Sequence, residues 1–197
     1  MARAAEDVER LEPADRAAWR AWLAAHHARP APVWLVLRKG RDAPLTQDAA
    51  VEEALCFGWI DSLPRKLDEQ RWMLLVSPRK PRSPWSRVNK ARVERLVAAG
   101  LMAPPGLSKV AAAQADGSWD VYEAAESLEE PAGLTTALAA VPDAAAAWAR
   151  FAPSARKGIL WWIAAARTPE TRAKRMAETA RLAAMGLRAN FPESRGR

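Results

Sequence analysis

Apolar positions change period repeatedly along the first hundred residues, and each change marks an element. Trp19, Trp22 and Leu23 recur at three- and four-residue spacing after Pro13-Ala14-Asp15, which predicts an amphipathic helix capped by Asp15. Pro30 and Pro32 cannot continue it, so it ends near Ala28. Val33-Trp34-Leu35-Val36-Leu37 is apolar throughout and mostly β-favouring, and reads as a central strand ending at Lys39-Gly40. Thr46 caps a second helix through Asp48, Val51, Glu52 and Leu55, with Gly58 as its stop. The stretch from Trp59 to Leu67 is extended, and Pro64 places it at a sheet edge or a bulge. Asp68-Glu69-Gln70 is a turn, and Arg71 to Ser77 returns as the partner of a hairpin beside the first strand.

Helical periodicity governs the rest. Ser83 as N-cap, Pro84 at the first helical position and Gly100 past the end bound a helix whose apolar face is Trp85, Val88, Val93, Leu96 and Val97. A shorter helix covers residues 107–115, after Pro104-Pro105. Composition then turns acidic from Asp116 to Gly133, the best boundary candidate. Three helices follow: Pro142 to Arg150, Ser154 to Arg167 opened by Pro153, and Thr168 to Met185 with Thr168 as cap and Gly186 as stop. The buried stripe of the last is Met176, Thr179, Leu182 and Met185, and the tail beyond Asn190 frays. The expected fold is α+β, a small antiparallel sheet with packed helices followed by a C-terminal helical element. The expected domains are 1–116, an acidic linker 117–133, and 134–190.

The chain has 197 residues, half of them hydrophobic, with 27% charged, an ordinary globular balance. A single cysteine, Cys56, excludes an internal disulfide framework and any multi-thiolate metal site. The first ten residues carry acids where a secretory leader has an apolar run, and no window approaches 18 uninterrupted apolar residues. The expectation is a soluble, cytoplasmic protein without a transmembrane segment. The net charge of +7 is unevenly distributed: residues 62–95 carry +7, residues 116–149 carry −7, and residues 150–197 carry +8. Either the acidic middle neutralises its neighbours inside a folded unit, or it connects two basic modules.

Catalytic signals are sparse. No phosphate loop, dinucleotide fingerprint, nucleophile elbow or His-Glu-x-x-His motif occurs, so no catalytic residue, metal or cofactor is assigned. Cys56 falls near a helix C-terminus, where the dipole disfavours a thiolate, and reads as a core residue. His26 and His27 are adjacent on a helix, pointing about 100° apart, and read as a solvated helix end. Glu52 and Glu53 are a pair in sequence only, because helix neighbours do not face each other. The candidate ligand site gathers Arg79, Ser83, Ser86 and Asn89 at a strand end and helix start, where free backbone N–H groups suit an anion. Asp61 lies on the adjoining strand, and Trp59 and Trp85 would wall the pocket. The structural alternative is that Ser83 caps, Trp85 packs and Asn89 bonds a neighbouring loop.

Two stretches together resemble the YdeI / OmpD-associated, or bacteriocin-protection, family. One runs from Glu53 to Asp61 and continues at Ser77-Pro78-Arg79-Lys80-Pro81-Arg82-Ser83-Pro84-Trp85-Ser86-Arg87-Val88-Asn89. The other is Phe151 to Gly158 with Trp162 to Arg175. The resemblance implies a YdhG-like α+β domain with a helical C-terminal element, and a role in protection against bacteriocins or cationic antimicrobial peptides. The leading expectation is a non-enzymatic stress- or antimicrobial-resistance binding protein, taking a small anionic or aromatic ligand or a peptide at Trp59, Asp61, Arg79, Ser83, Trp85, Ser86 and Asn89. The alternatives are nucleic-acid binding through segments 62–95 and 150–197, or a hydrolase or transferase using Asp61 with Arg79.

Overall fold

The computed structural model describes residues 8–192. Residues 1–7, where the leader was sought, and the tail after Pro192 lie outside them. The chain divides into two compact units. One runs to Ser83 and resumes over Val88–Ser118; the other comprises Pro84–Arg87 and the chain from Trp119 onward.

The first unit is an α+β layer around four strands, β1 (Arg10–Leu11), β2 (Val33–Arg38), β3 (Trp59–Lys66) and β4 (Arg71–Pro78), in the order β1-β2-β4-β3. The two inner strands are the most apolar: Val33 through Leu37 are all buried, as a strand covered on both faces must be. Pro64 sits where sterics allow it, on the edge strand and at an irregularity in the β3–β4 register between Asp61 and Pro64. The sheet is mixed rather than purely antiparallel, because β1 runs parallel to β2. Two residues are too few to show alternation, so β1 leaves no periodic trace.

Helices α1 (Arg16–His26) and α2 (Gln47–Cys56) begin at the expected caps: Asp15 accepts from the Ala18 amide at 2.8 Å, and Thr46 from the Ala49 amide at 3.2 Å. Trp19 and Leu23 seal α1 into the core at 0% exposure. Helix α4 (Pro104–Ala115) starts three residues earlier than expected, because prolines fit a first turn whose N–H groups are free anyway. Its start presses on the end of α2. A Cβ at Gly106 would meet the Cys56 carbonyl oxygen at 2.2 Å, and the Ala103 amide donates to that same oxygen at 3.1 Å.

Helix α3 corrects the sequence reading: it spans Arg87–Ala98, three residues later than a Ser83 cap requires. Trp85 is therefore not on its apolar face but precedes it, packed with Trp119 in the second unit at 5.0 Å between ring centroids. With that start, Val93 and Leu96 are buried, while Val88 and Val97 face solvent at 59% and 49% exposure.

The second unit is helical throughout: α5 (Glu123–Glu126), α6 (Ala132–Ala139), α7 (Ala144–Arg150), α8 (Pro153–Ala164) and α9 (Pro169–Ala184). Helices α6 and α7 pack on α9, and α5 packs on α8, around Leu134, Trp148, Ile159, Ile163 and Leu182. Thr168 caps α9 by accepting from the Thr171 amide at 3.2 Å, and Gly186 closes it at φ +71°. Met185, placed in the buried stripe from the sequence, is instead 53% exposed.

Gly106 and Gly158 make a controlled pair. Gly106→Ala drives a methyl into backbone and is expected to destabilise the first unit by about 2 kcal/mol or more. At Gly158 a Cβ meets only the Phe191 ring, at 3.5 Å, so Gly158→Ala gains helix propensity and is expected to be neutral or stabilising by up to about 1 kcal/mol. Denaturant unfolding of both variants checks the contrast; equal effects would contradict it.

Candidate functional site

The residues singled out in the sequence separate between the two units. Trp59 is fully buried, its indole N–H donating to the His27 carbonyl at 3.0 Å, with Trp22 edge-on at 5.8 Å. Arg79 is 4% exposed and donates to the Ser83 carbonyl at 3.1 Å. Asn89 is buried on α3, accepting from Arg92 at 3.0 Å, and Asp61 is half-buried on the edge strand opposite Val76. Ser83, half-buried, ends the first stretch of unit one, whereas Trp85 and Ser86 belong to unit two. Trp59, Arg79 and Trp85 thus contribute interior rather than an exposed wall.

A second titratable cluster lies in the first unit, and here adjacency in sequence misleads. Glu52 and Glu53 share one partner: Arg16 reaches Glu53 at 2.6 Å and Glu52 at 3.1 Å, while Arg20 holds Glu53 at 2.6 Å. Arg16 of α1 thus bridges two successive carboxylates of α2. Glu53 is 3% exposed, so its charge depends on them. Arg16 is held above its ordinary value, foremost by its hydrogen bond to Glu53. His26 and His27 each turn a ring nitrogen to a carbonyl of their own helix, at 2.8 and 3.1 Å. Among the described residues no group of three or more His, Cys, Asp or Glu could hold a metal ion.

Much of the basic surface is paired locally. Arg71 bonds Glu12 and Asp68, Arg92 bonds Asp48, and Arg95 bonds Glu52. Arg71, Glu12 and Asp68 line a groove of about 510 Å³, whose charges already face one another.

The second unit holds a different kind of hollow, about 390 Å³ and mostly apolar. One wall is Val121 with Ala124 and Ala125 of α5 and Pro131; the other is Leu160, Ile163 and Ala164 of α8. Two charges complete it, Glu129 and Arg172. Sequence reasoning assigned this acidic stretch to a linker, because its carboxylates masked a short helix with a buried alanine, Ala125 at 3% exposure.

The wall owes its position to a helix stop and two ion pairs. Helix α5 ends in a Schellman motif: the Leu128 amide donates to Ala125 at 3.2 Å and the Glu129 amide to Ala124 at 2.8 Å, with Leu128 at φ +57°. On either side of the stop, Glu126 pairs with Lys157 and Glu130 with Arg156 at 2.6 Å, both cations on α8. Glu130 also accepts from the Trp148 indole at 2.7 Å, and Arg156 lies over that ring at 5.4 Å. Trp161 stacks on Tyr122 at 5.1 Å, tying the approach to α5 to the same helix. Glu129 stands between these pinned neighbours and, like Arg172, makes no ion pair among the described residues.

Cys56 is sealed in the first core, and burial pushes its thiol above the ordinary value of 9.0, outweighing the opposite pull of the Arg20 guanidinium. The folded state thus holds the proton over a range where the unfolded chain has lost it. Stability from this group is complete below about pH 9 and falls as pH rises through that window. Cys56→Ala is expected to flatten the alkaline decline in unfolding free energy, and the native thiol to react with a thiol reagent only on unfolding. Rapid labelling of the folded protein at neutral pH would contradict this.

No helix among the described residues is long and apolar enough to cross a membrane. No curated protein and no solved structure matches the chain. The sequence profile of the bacteriocin-protection, YdeI or OmpD-associated family matches residues 127–186, which hold most of the helical unit. Residues 11–109 match a separate profile, so the motif from Glu53 to Asn89 falls outside the bacteriocin-protection match. Since that second match spans just over half of the sequence, the chain belongs to the family of the domain of unknown function DUF8412, while residues 127–186 of its second unit are similar to the bacteriocin-protection, YdeI or OmpD-associated family.

Proposed function

We propose that the protein is a non-enzymatic binding protein of antimicrobial or bacteriocin protection, and that its second unit does the recognising. The observation that carries this reading is the hollow between α5 and α8. It is apolar over most of its lining, bears two charges that make no ion pair among the described residues, and lies largely in the stretch matched by the bacteriocin-protection profile. Its size falls within the range of small-molecule sites, and a few polar groups on an apolar lining are what such sites use to orient a ligand. The role assigned from sequence to the Trp59–Arg79–Trp85 corner passes to this hollow. Trp59 and Arg79 have their polar groups engaged within the first unit, by the His27 and Ser83 carbonyls.

Expression of the full chain in a bacterium sensitive to a bacteriocin or cationic antimicrobial peptide tests the reading. The wild type is expected to raise survival. Ala164→Phe, which fills the hollow from a half-buried position, is expected to remove the protection while leaving the thermal midpoint in place. Equal protection by the filled variant, or none by the wild type, would overturn it.

A further inference from the structure

We infer that the hollow of the second unit takes a short apolar peptide with both termini free, of about dipeptide size. The inference rests on the binding role proposed above and names the ligand class. Glu129 and Arg172 are both exposed, both line the hollow, and neither is paired with the other or with any other charge among the described residues. Elsewhere in this unit opposite charges within reach do pair, as Glu126 with Lys157 and Glu130 with Arg156. Two open charges of opposite sign beside an apolar floor complement a zwitterion with an apolar body.

Each class of occupant can be weighed by that lining. A fatty acid or other anionic amphiphile satisfies Arg172 but brings its charge towards Glu129. A cationic amphiphile does the reverse. A neutral hydrophobe leaves both charges without a partner. A zwitterion satisfies both: Glu129 accepts from the ammonium, and the Arg172 fork takes the carboxylate with two parallel N–H donors.

Span and volume narrow the class. Because Glu129 and Arg172 line one hollow without pairing with each other, their charged groups stand more than 4 Å apart. The ends of an extended dipeptide stand about 7 Å apart, wider than the groups of a single amino acid. Two aliphatic side chains then lie against Leu160, Ile163, Val121 and Ala124 in a volume of about 390 Å³. Residues as small as Ala124, Ala125 and Ala164 leave the floor wide enough for branched side chains.

Isothermal titration of the full chain decides it, with Leu-Leu, N-acetyl-Leu-Leu, Leu-Leu-amide and decanoate as probes. Leu-Leu is expected to bind, and blocking either end to weaken it tenfold or more. Arg172→Gln is expected to weaken Leu-Leu as much as amidation does while leaving the affinity for Leu-Leu-amide unchanged, and Glu129→Gln to mirror this with the acetylated probe. Both side chains are exposed, so neither change touches the core. Binding of decanoate above Leu-Leu, or indifference to the blocked ends, would overturn the zwitterion assignment while leaving a binding hollow in place. Binding of none of the probes would overturn it as well, and protection lost in the filled variant would then show that the broader reading survives.

Discussion

The second unit depends on the pinning of an acidic loop to a basic helix. Glu126 and Glu130 reach Lys157 and Arg156 on successive positions of α8, and the Trp148 indole adds a neutral donor to Glu130. The Glu126 side chain is only 7% exposed, so its charge is tolerable there only with a cation against it. Between the two pinned carboxylates the chain makes a left-handed turn at Leu128, a conformation that costs a non-glycine residue about 1–2 kcal/mol. The ion pairs hold the turn, and the turn places Glu129 in the lining of the hollow beside α5 and α8.

This pairing also explains the segmented charge of the sequence. The run of seven acids without a base over residues 116–149 is not a repulsive spacer, since two of its members neutralise cations of the segment that follows. The same economy operates in the first unit, where Arg16 and Arg20 of α1 secure a buried Glu53 on α2. In both units a carboxylate in low-dielectric surroundings fixes the position of one helix against another. Apolar burial supplies the bulk of the stability and the ion pairs supply register.

Much of the fold was legible because local chemistry and tertiary structure agree. Asp15, Thr46 and Thr168 cap the helices their positions predicted, Gly58 and Gly186 take positive φ where helices end, and Pro64 marks the irregular edge. Two of the failures share one cause, the arrival of a partner from a distant segment. Ser83-Pro84 is a sound helix start by local rules, yet Trp85 packs with Trp119, and the helix waits until Arg87. The Glu52–Glu53 pair looked inert because helix neighbours diverge, until one arginine from α1 reached both. Helix α6 has Pro131 at its cap and no side-chain cap bond, so its alanine-rich run carried no start signal. The hollow was least legible of all. Its floor is made of Val, Ala, Leu and Ile, residues that read as core in any sequence, and only the fold shows that a hollow opens beside them.

The most direct test of recognition by the second unit is methyl-labelled NMR of the full chain, titrated with Leu-Leu. The account predicts intermolecular contacts from ligand methyls to Val121, Leu160 and Ile163, with Leu35 and Val76 of the first sheet undisturbed. Contacts confined to the first unit, or no contacts in the second, would contradict it.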